Sequence, residues 1–192
     1  MKLHLPLGLL SSLIACMAAV SSPHAVAETY TWLGGTVDVH LNTNWTPDYG
    51  GGNNWSATWA GAATNSMRFD AGSMTGTNKA LQASFNTLSL GGITVTNGSD
   101  GFSVSKSNGS NRTVNLRDGG EGYTLFDIGG DFSLGVASQA WNGIVLNSSA
   151  LFKIATGKTM NIYGALGTAG TDAKTMTVGA DGLCLLYTSD AA

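Results

Sequence analysis

From Leu81 onward, apolar and polar residues alternate over short runs. The apolar members are Leu88 and Leu90; Ile93 and Val95; Phe102 and Val104; Val114 and Leu116; Phe126 and Ile128; and Phe132, Leu134 and Val136. They continue as Ile144 and Leu146, Phe152 and Ile154, Met160 and Ile162, and Met176 and Val178. A spacing of two puts successive apolar side chains on one face of an extended chain, which predicts strands with a single buried face. No stretch keeps the i, i+3, i+4, i+7 spacing of an amphipathic helix. The separators are turn residues: Gly91, "NGSDG" from Asn97, "NGSN" from Asn108, "RDGGEG" from Arg117 and "IGGD" from Ile128. Asn and Asp tolerate left-handed backbone, and Gly adopts it without steric cost.

The stretch from Glu28 to Gly72 has another character. It holds four of the five tryptophans, Trp32, Trp45, Trp55 and Trp59, around a loop-forming "PDYGGGNN". Strands are expected near Thr29 to Leu33 and Ser66 to Asp70, with turns between. Farther along, Val114, Leu134 and Ile154 stand twenty residues apart, Leu116 and Val136 repeat that interval, and Met176 follows Ile154 after twenty-two. A period near twenty with several short strands in each suggests the coils of a parallel β-solenoid. Short strands at 8–12-residue spacing fit an antiparallel β-sandwich as well, so both all-β architectures stay open on periodicity alone.

Composition narrows the setting. Of 192 residues only 11% are charged, against about 25% in an average soluble protein; polarity comes from Thr, Ser, Asn and 27 Gly. This suits exported β-structure. The net charge of −3, with scattered cations, gives no electrostatic footprint for nucleic acid. Lys2, an apolar run from Leu5 to Val20, and "SSPHAVA" form an export signal with a cut expected between Ala27 and Glu28. The apolar run is too short for a membrane span, so none is expected in the mature chain. "LIAC", Leu13 to Cys16, offers the alternative of a lipoprotein anchored at Cys16.

With the signal removed, Cys184 has no partner for a disulfide, and His40 is the only remaining histidine that could activate it as a nucleophile. Its surroundings, "CLLYTSDAA", resemble a translated sequencing adapter: six consecutive residues, Cys-Leu-Leu-Tyr-Thr-Ser, match one frame of a transposon-end adapter. The other reading is a genuine edge strand. The expected organisation is therefore a signal over 1–27, a Trp-rich cap region over 28–80, solenoid coils over 81–183, truncated, and an adapter-derived segment over 184–192.

The order "YTWLGG", "NTNW", "WSATWAGAATNSMRFD", "FNTLSLGGITVTN", "LFDIGGDFSLGVASQAWNGIVL" and "GKTMNIYGALG" resembles proteins carrying autotransporter-associated β-strand repeats. The likeness covers most of Glu28 to Gly182. It implies a right-handed parallel β-helix behind a Trp-rich N-terminal cap, exported to the bacterial cell surface, the outer membrane or the medium.

Chemical motifs are sparse. "GGEGYTLFD", Gly119 to Asp127, opens like a calcium-binding nonapeptide but has Thr124 where Asp is required. Asp118 with Glu121, or Asp127 with Asp131, could supply the two carboxylates of a glycosidase, yet Asp beside Gly is ordinary turn chemistry. No catalytic residue, metal ligand or cofactor site is assigned. Trp45, Tyr49 and Trp55 could stack on sugar rings, whereas a solenoid end needs bulky cover over its core and strand edges. On that reading Trp32 and Trp59 are the buried pair and Trp45 and Trp55 the exposed ones. The N-x-S/T sequons follow from a composition rich in Asn, Ser and Thr. The expected protein is a monomeric, non-enzymatic, structural or adhesive passenger whose partners are surface glycans or ligands on host or neighbouring cells. The alternative is a carbohydrate-binding or carbohydrate-cleaving β-helix.

Overall fold

The computed structural model describes residues 28–39, 41–46, 65–84, 86–107, 111–168, 174–180 and 183–189. Along them the alternation becomes strands. Apart from strands there are three single 3-10 turns, at Asn42–Asn44, Ala71–Ser73 and Ala137–Gln139, and no α-helix among the described residues.

The strands form three sheets. The long sheet runs, in spatial order, through β2 (Trp45–Thr46), β1 (Thr29–Trp32), β3 (Ser66–Phe69), β6 (Gly92–Val95), β9 (Tyr123–Ile128), β12 (Ser149–Ile154), β15 (Lys174–Ala180) and β16 (Leu183–Ser189). The second holds β4 (Ala80–Ala83), β7 (Phe102–Lys106), β10 (Phe132–Leu134) and β13 (Met160–Ile162). The third holds β5 (Thr87–Leu90), β8 (Thr113–Leu116), β11 (Trp141–Leu146) and β14 (Gly164–Thr168). From β3 to β15 the chain visits the three sheets in rotation, so strands that follow one another in sequence lie in different sheets. Apart from one pair at each end of the long sheet, neighbours within a sheet are parallel and one coil apart. This is a parallel β-solenoid of about 4 turns. The sandwich alternative fails because parallel neighbours one coil apart replace its antiparallel pairing.

Register explains the stack. In the long sheet Met67 pairs with Ile93, Ile93 with Phe126, and Phe126 with Phe152. In the second, Phe102, Phe132 and Met160 align; in the third, Val114, Ile144 and Leu166. Each column places like on like, so every inward side chain except those at the ends is covered above and below. Phe126 and Phe152 stack with ring centroids 4.5 Å apart. Full burial of a side chain of this size stabilises by about 1.5–3 kcal/mol relative to exposure.

The twenty-residue interval is not the coil repeat. Val114 lies in the third sheet, Leu134 in the second and Ile154 in the long one. Their true partners one coil on or back are Ile144, Ile162 and Ile128. Coils differ in length because the corners do: Ile93 to Phe126 spans 33 residues, Met67 to Ile93 and Phe126 to Phe152 only 26. In the long coil six residues separate β7 from β8 and six separate β8 from β9.

Two antiparallel pairs close the long sheet, one at each end. At the N-terminal end Trp32 of β1 faces Trp45 of β2. At the other, β16 turns back on β15, pairing Gly179 with Cys184. The cap region thus supplies the first rungs of the same sheet, β1 and β3, and the boundary at residue 80 falls inside β4. The segment from Cys184, set aside in sequence, lies in an edge strand. Backbone pairing of this kind is open to any extended segment beside an exposed edge; its coding origin is a matter for the nucleotide sequence.

Candidate functional site

Three places could carry function: the tryptophan cap, the carboxylates at the corners, and the open end of the core. In the cap, Trp32 is 0% and Trp45 2% exposed. Their rings meet edge to face at 5.1 Å, an arrangement favoured by the ring quadrupoles. Trp32 Nε1 donates to the Asn78 carbonyl at 2.7 Å and Trp45 Nε1 to the Val39 carbonyl at 2.9 Å. Trp45 also approaches Phe69, which packs on Phe102 and Phe132 at 5.1 and 5.6 Å. An aromatic chain therefore runs from the cap into the core.

This corrects the expectation that Trp45 is exposed and free to stack on a sugar. Its polar neighbour Asn44 suggested a surface, but Asn44 is itself buried. Asn44 Nδ2 donates to the Asp38 carbonyl at 2.8 Å, and its Oδ1 accepts from Thr36 N at 3.2 Å. The amide clamps the loop that covers Trp45. A Cβ on Gly35 would lie 2.0 Å from Asn44 Oδ1, so the clamp needs glycine there. Tyr49, Trp55 and Trp59 lie outside the described residues.

Of the candidate carboxylates, Asp118 and Asp131 accept backbone hydrogen bonds. Asp118 Oδ1 accepts from the Gly120 and Gly122 amides, each at 2.8 Å. Asp127 is exposed on the outer face of the long sheet, in register with Thr94 and Lys153. Thr124, at the position where a calcium nonapeptide needs Asp, is buried; its hydroxyl donates to the Arg117 carbonyl at 2.6 Å and lies 3.0 Å from Ser148 Oγ. Among the described residues no group of three or more His, Cys, Asp or Glu side chains could hold a metal.

One corner gathers charges that sequence reasoning did not connect. Lys79 precedes β4, Asp100 precedes β7, Asp131 precedes β10 and Lys158 precedes β13, so four coils contribute. Lys79 Nζ donates to the Asp100 carbonyl at 2.8 Å and lies 5.3 Å above the Phe102 ring centroid. Asp100 Oδ1 accepts from Asp131 N and from Lys158 Nζ, both at 2.8 Å. Asp131 Oδ1 accepts from Thr159 N at 2.8 Å. The Lys158 hydrogen bond, then that from Asp131 N, holds the Asp100 carboxyl below its usual range; Asp100 in turn raises Lys158. The available signal was positional: a polar residue one or two places before each second-sheet strand. The chemistry is coil-to-coil clamping.

At the C-terminal end, a cavity of about 130 Å³ is lined by Phe152, Ile154, Met160, Ile162, Met176 and Val178. All six side chains are apolar, so the cavity lacks the convergent polar groups that orient a bound small molecule. Among the described residues it is the uncovered end of the core. Ile162 and Leu166, inward by register, are each 40% exposed, and no strand pairs on the outer side of β13 or β14 among the described residues.

No protein family, curated protein or solved structure matches the chain. Among the described residues no helix is long and apolar enough to cross a membrane.

Proposed function

We propose that the chain is the cap-bearing part of an exported, surface-displayed β-solenoid passenger that acts as a scaffold or adhesive stalk and catalyses no reaction. The observation that carries this reading is the contrast between the two ends of one core. Trp32 and Trp45 seal the first coil, while the last coil presents inward-facing apolar side chains and unpaired strand edges. Such an end is suited to receive further coils of the same kind. The resemblance to autotransporter-associated repeat proteins and the N-terminal export signal support display outside the cell.

Export is supported by the place of Glu28 in the fold. Its N–H donates to Asn65 Oδ1 at 3.4 Å, its carbonyl accepts from Ser66 N at 2.8 Å, and its carboxylate meets the Tyr30 hydroxyl. A mature chain beginning at Glu28 keeps the whole first rung. Mass spectrometry of the mature N-terminus should find Glu28 first; a diacylated Cys16 would replace this reading with a membrane-anchored lipoprotein. The functional test is protease shaving of intact cells expressing the complete reading frame, together with polysaccharide turnover assays. The proposal expects peptides of this chain in the shaved fraction and no turnover. Retention inside the cell, or cleavage of any polysaccharide, overturns it.

A further inference from the structure

Asn or Asp followed by Gly recurs along the chain, and four such pairs lie among the described residues: Asn97–Gly98, Asp100–Gly101 and Asp118–Gly119 at corners and Asn142–Gly143 in β11. This dipeptide has a reaction of its own. The glycine nitrogen attacks the Asn Cγ, a C–N bond closes a five-membered succinimide, and the side-chain nitrogen leaves as ammonia. Water then opens the ring at either carbonyl, giving aspartate or isoaspartate. The step requires a glycine amide not tied to an acceptor and a peptide plane free to turn; the missing Cβ removes the steric barrier.

We propose that Asn97 is a site of spontaneous self-modification, with water as the only co-reactant. It sits with Gly98 at the centre of a turn closed by the Ser99 N–H on the Thr96 carbonyl at 3.0 Å. Gly98 has φ +79, and a Cβ there would meet nothing within 4 Å. Both residues are exposed. Neither the Asn97 carbonyl nor the Gly98 N–H has a hydrogen-bond partner among the described residues. The flanks, by contrast, are fixed. Thr96 N donates to the Phe69 carbonyl at 2.9 Å, Ser99 Oγ accepts from Ala71 N at 2.9 Å, and the Thr96 and Ser99 hydroxyls lie 2.8 Å apart. The loose part is a single peptide plane, the one the reaction must rotate.

The other three pairs are held. Gly101 N donates to the Asp131 carbonyl at 2.8 Å and Gly119 N to the Tyr123 carbonyl at 3.0 Å. Asn142 lies in β11, and its Oδ1 accepts from Lys106 Nζ at 2.9 Å and Arg112 N at 3.1 Å while Nδ2 donates to Asn111 Oδ1. Asn142 is thus an internal control with the same dipeptide chemistry.

Conversion adds one negative charge three residues before Asp100. The isoaspartyl product also lengthens the main chain by one carbon inside a turn whose ends are pinned, which loosens the corner between β6 and β7 against Phe69 and Ala71. The experiment is incubation of the folded chain at mildly alkaline pH in heavy-oxygen water, followed by peptide mapping with mass spectrometry. The Asn97 peptide should gain about one mass unit plus the oxygen label and split into aspartyl and isoaspartyl forms, several-fold faster than the Asn142 peptide in the same sample. In urea the two rates should converge, because the difference is made by the fold. Equal rates in the folded protein, Asn142 reacting first, or a product without the oxygen label each overturn the proposal.

Discussion

At Trp45 a two-residue strand places an indole across the end of the core, with its ring on Trp32 and its N–H on the Val39 carbonyl. Truncating this side chain removes an edge-to-face pair and leaves a void over Phe69. Trp45→Ala should lower stability by about 3–5 kcal/mol, measured by urea unfolding. A loss under about 1 kcal/mol, the scale of a surface change, would mean that the indole does not seal the core. Side chains inside the coils were legible from alternation alone: Phe102, Val104, Phe126 and Ile128 are all buried as period two requires. Trp45 was not legible, because its neighbours are polar and the signal lies in Asn44, whose amide is satisfied inward by Thr36 and Asp38. Sequence shows that a residue is polar; which way its hydrogen bonds point depends on a loop folded across from it.

At the scale of elements, the strands set the columns and the corners set their spacing. Alternation located nearly every strand but gave a false period, because the connections between strands differ in length, with six residues between β8 and β9 but two between β11 and β12. The corner joining Lys79, Asp100, Asp131 and Lys158 was hidden because its hydrogen-bonded pairs are 21 to 58 residues apart. Its effect on stability has a definite sign. Asp100 is held below its ordinary value of 3.8, so its contribution is present above that value and is lost as pH falls through the folded value. Lys158 is raised above 10.5, so its contribution is present below that value and is lost as pH rises through the folded one. Asp70 adds to the acid limb: desolvation works upward there, but hydrogen bonds from Arg68, Gly72 and Ser73 outweigh it and leave the carboxyl lowered. Asp100→Asn should flatten both limbs of a melting-temperature profile against pH while leaving the Asp70 share of the acid limb. An unchanged alkaline limb would show that the Lys158 pair adds nothing. The groups are only partly buried, so the effect should shrink in high salt.

For the whole molecule, the two ends of the stack are unlike. From Met160 to Thr168 the last coil shows no charge and no proline, the devices that ordinarily discourage edge pairing. The chain should therefore self-associate as its concentration rises, read by light scattering, and Ile162→Lys with Leu166→Lys should abolish this. Both positions are partly exposed, so the melting temperature should hold; association that persists in the double variant would place the contact elsewhere. Self-association of the parent would replace the monomer expected from sequence. The long sheet has a further consequence for how mistakes spread. From Thr29–Trp32 onward each parallel strand takes its register from the one before it, and a slip of one residue turns inward faces outward. A misplacement at the Trp32 end is thus inherited by every coil laid down after it, whereas the same misplacement at Met160–Ile162 has no descendants among the second-sheet strands.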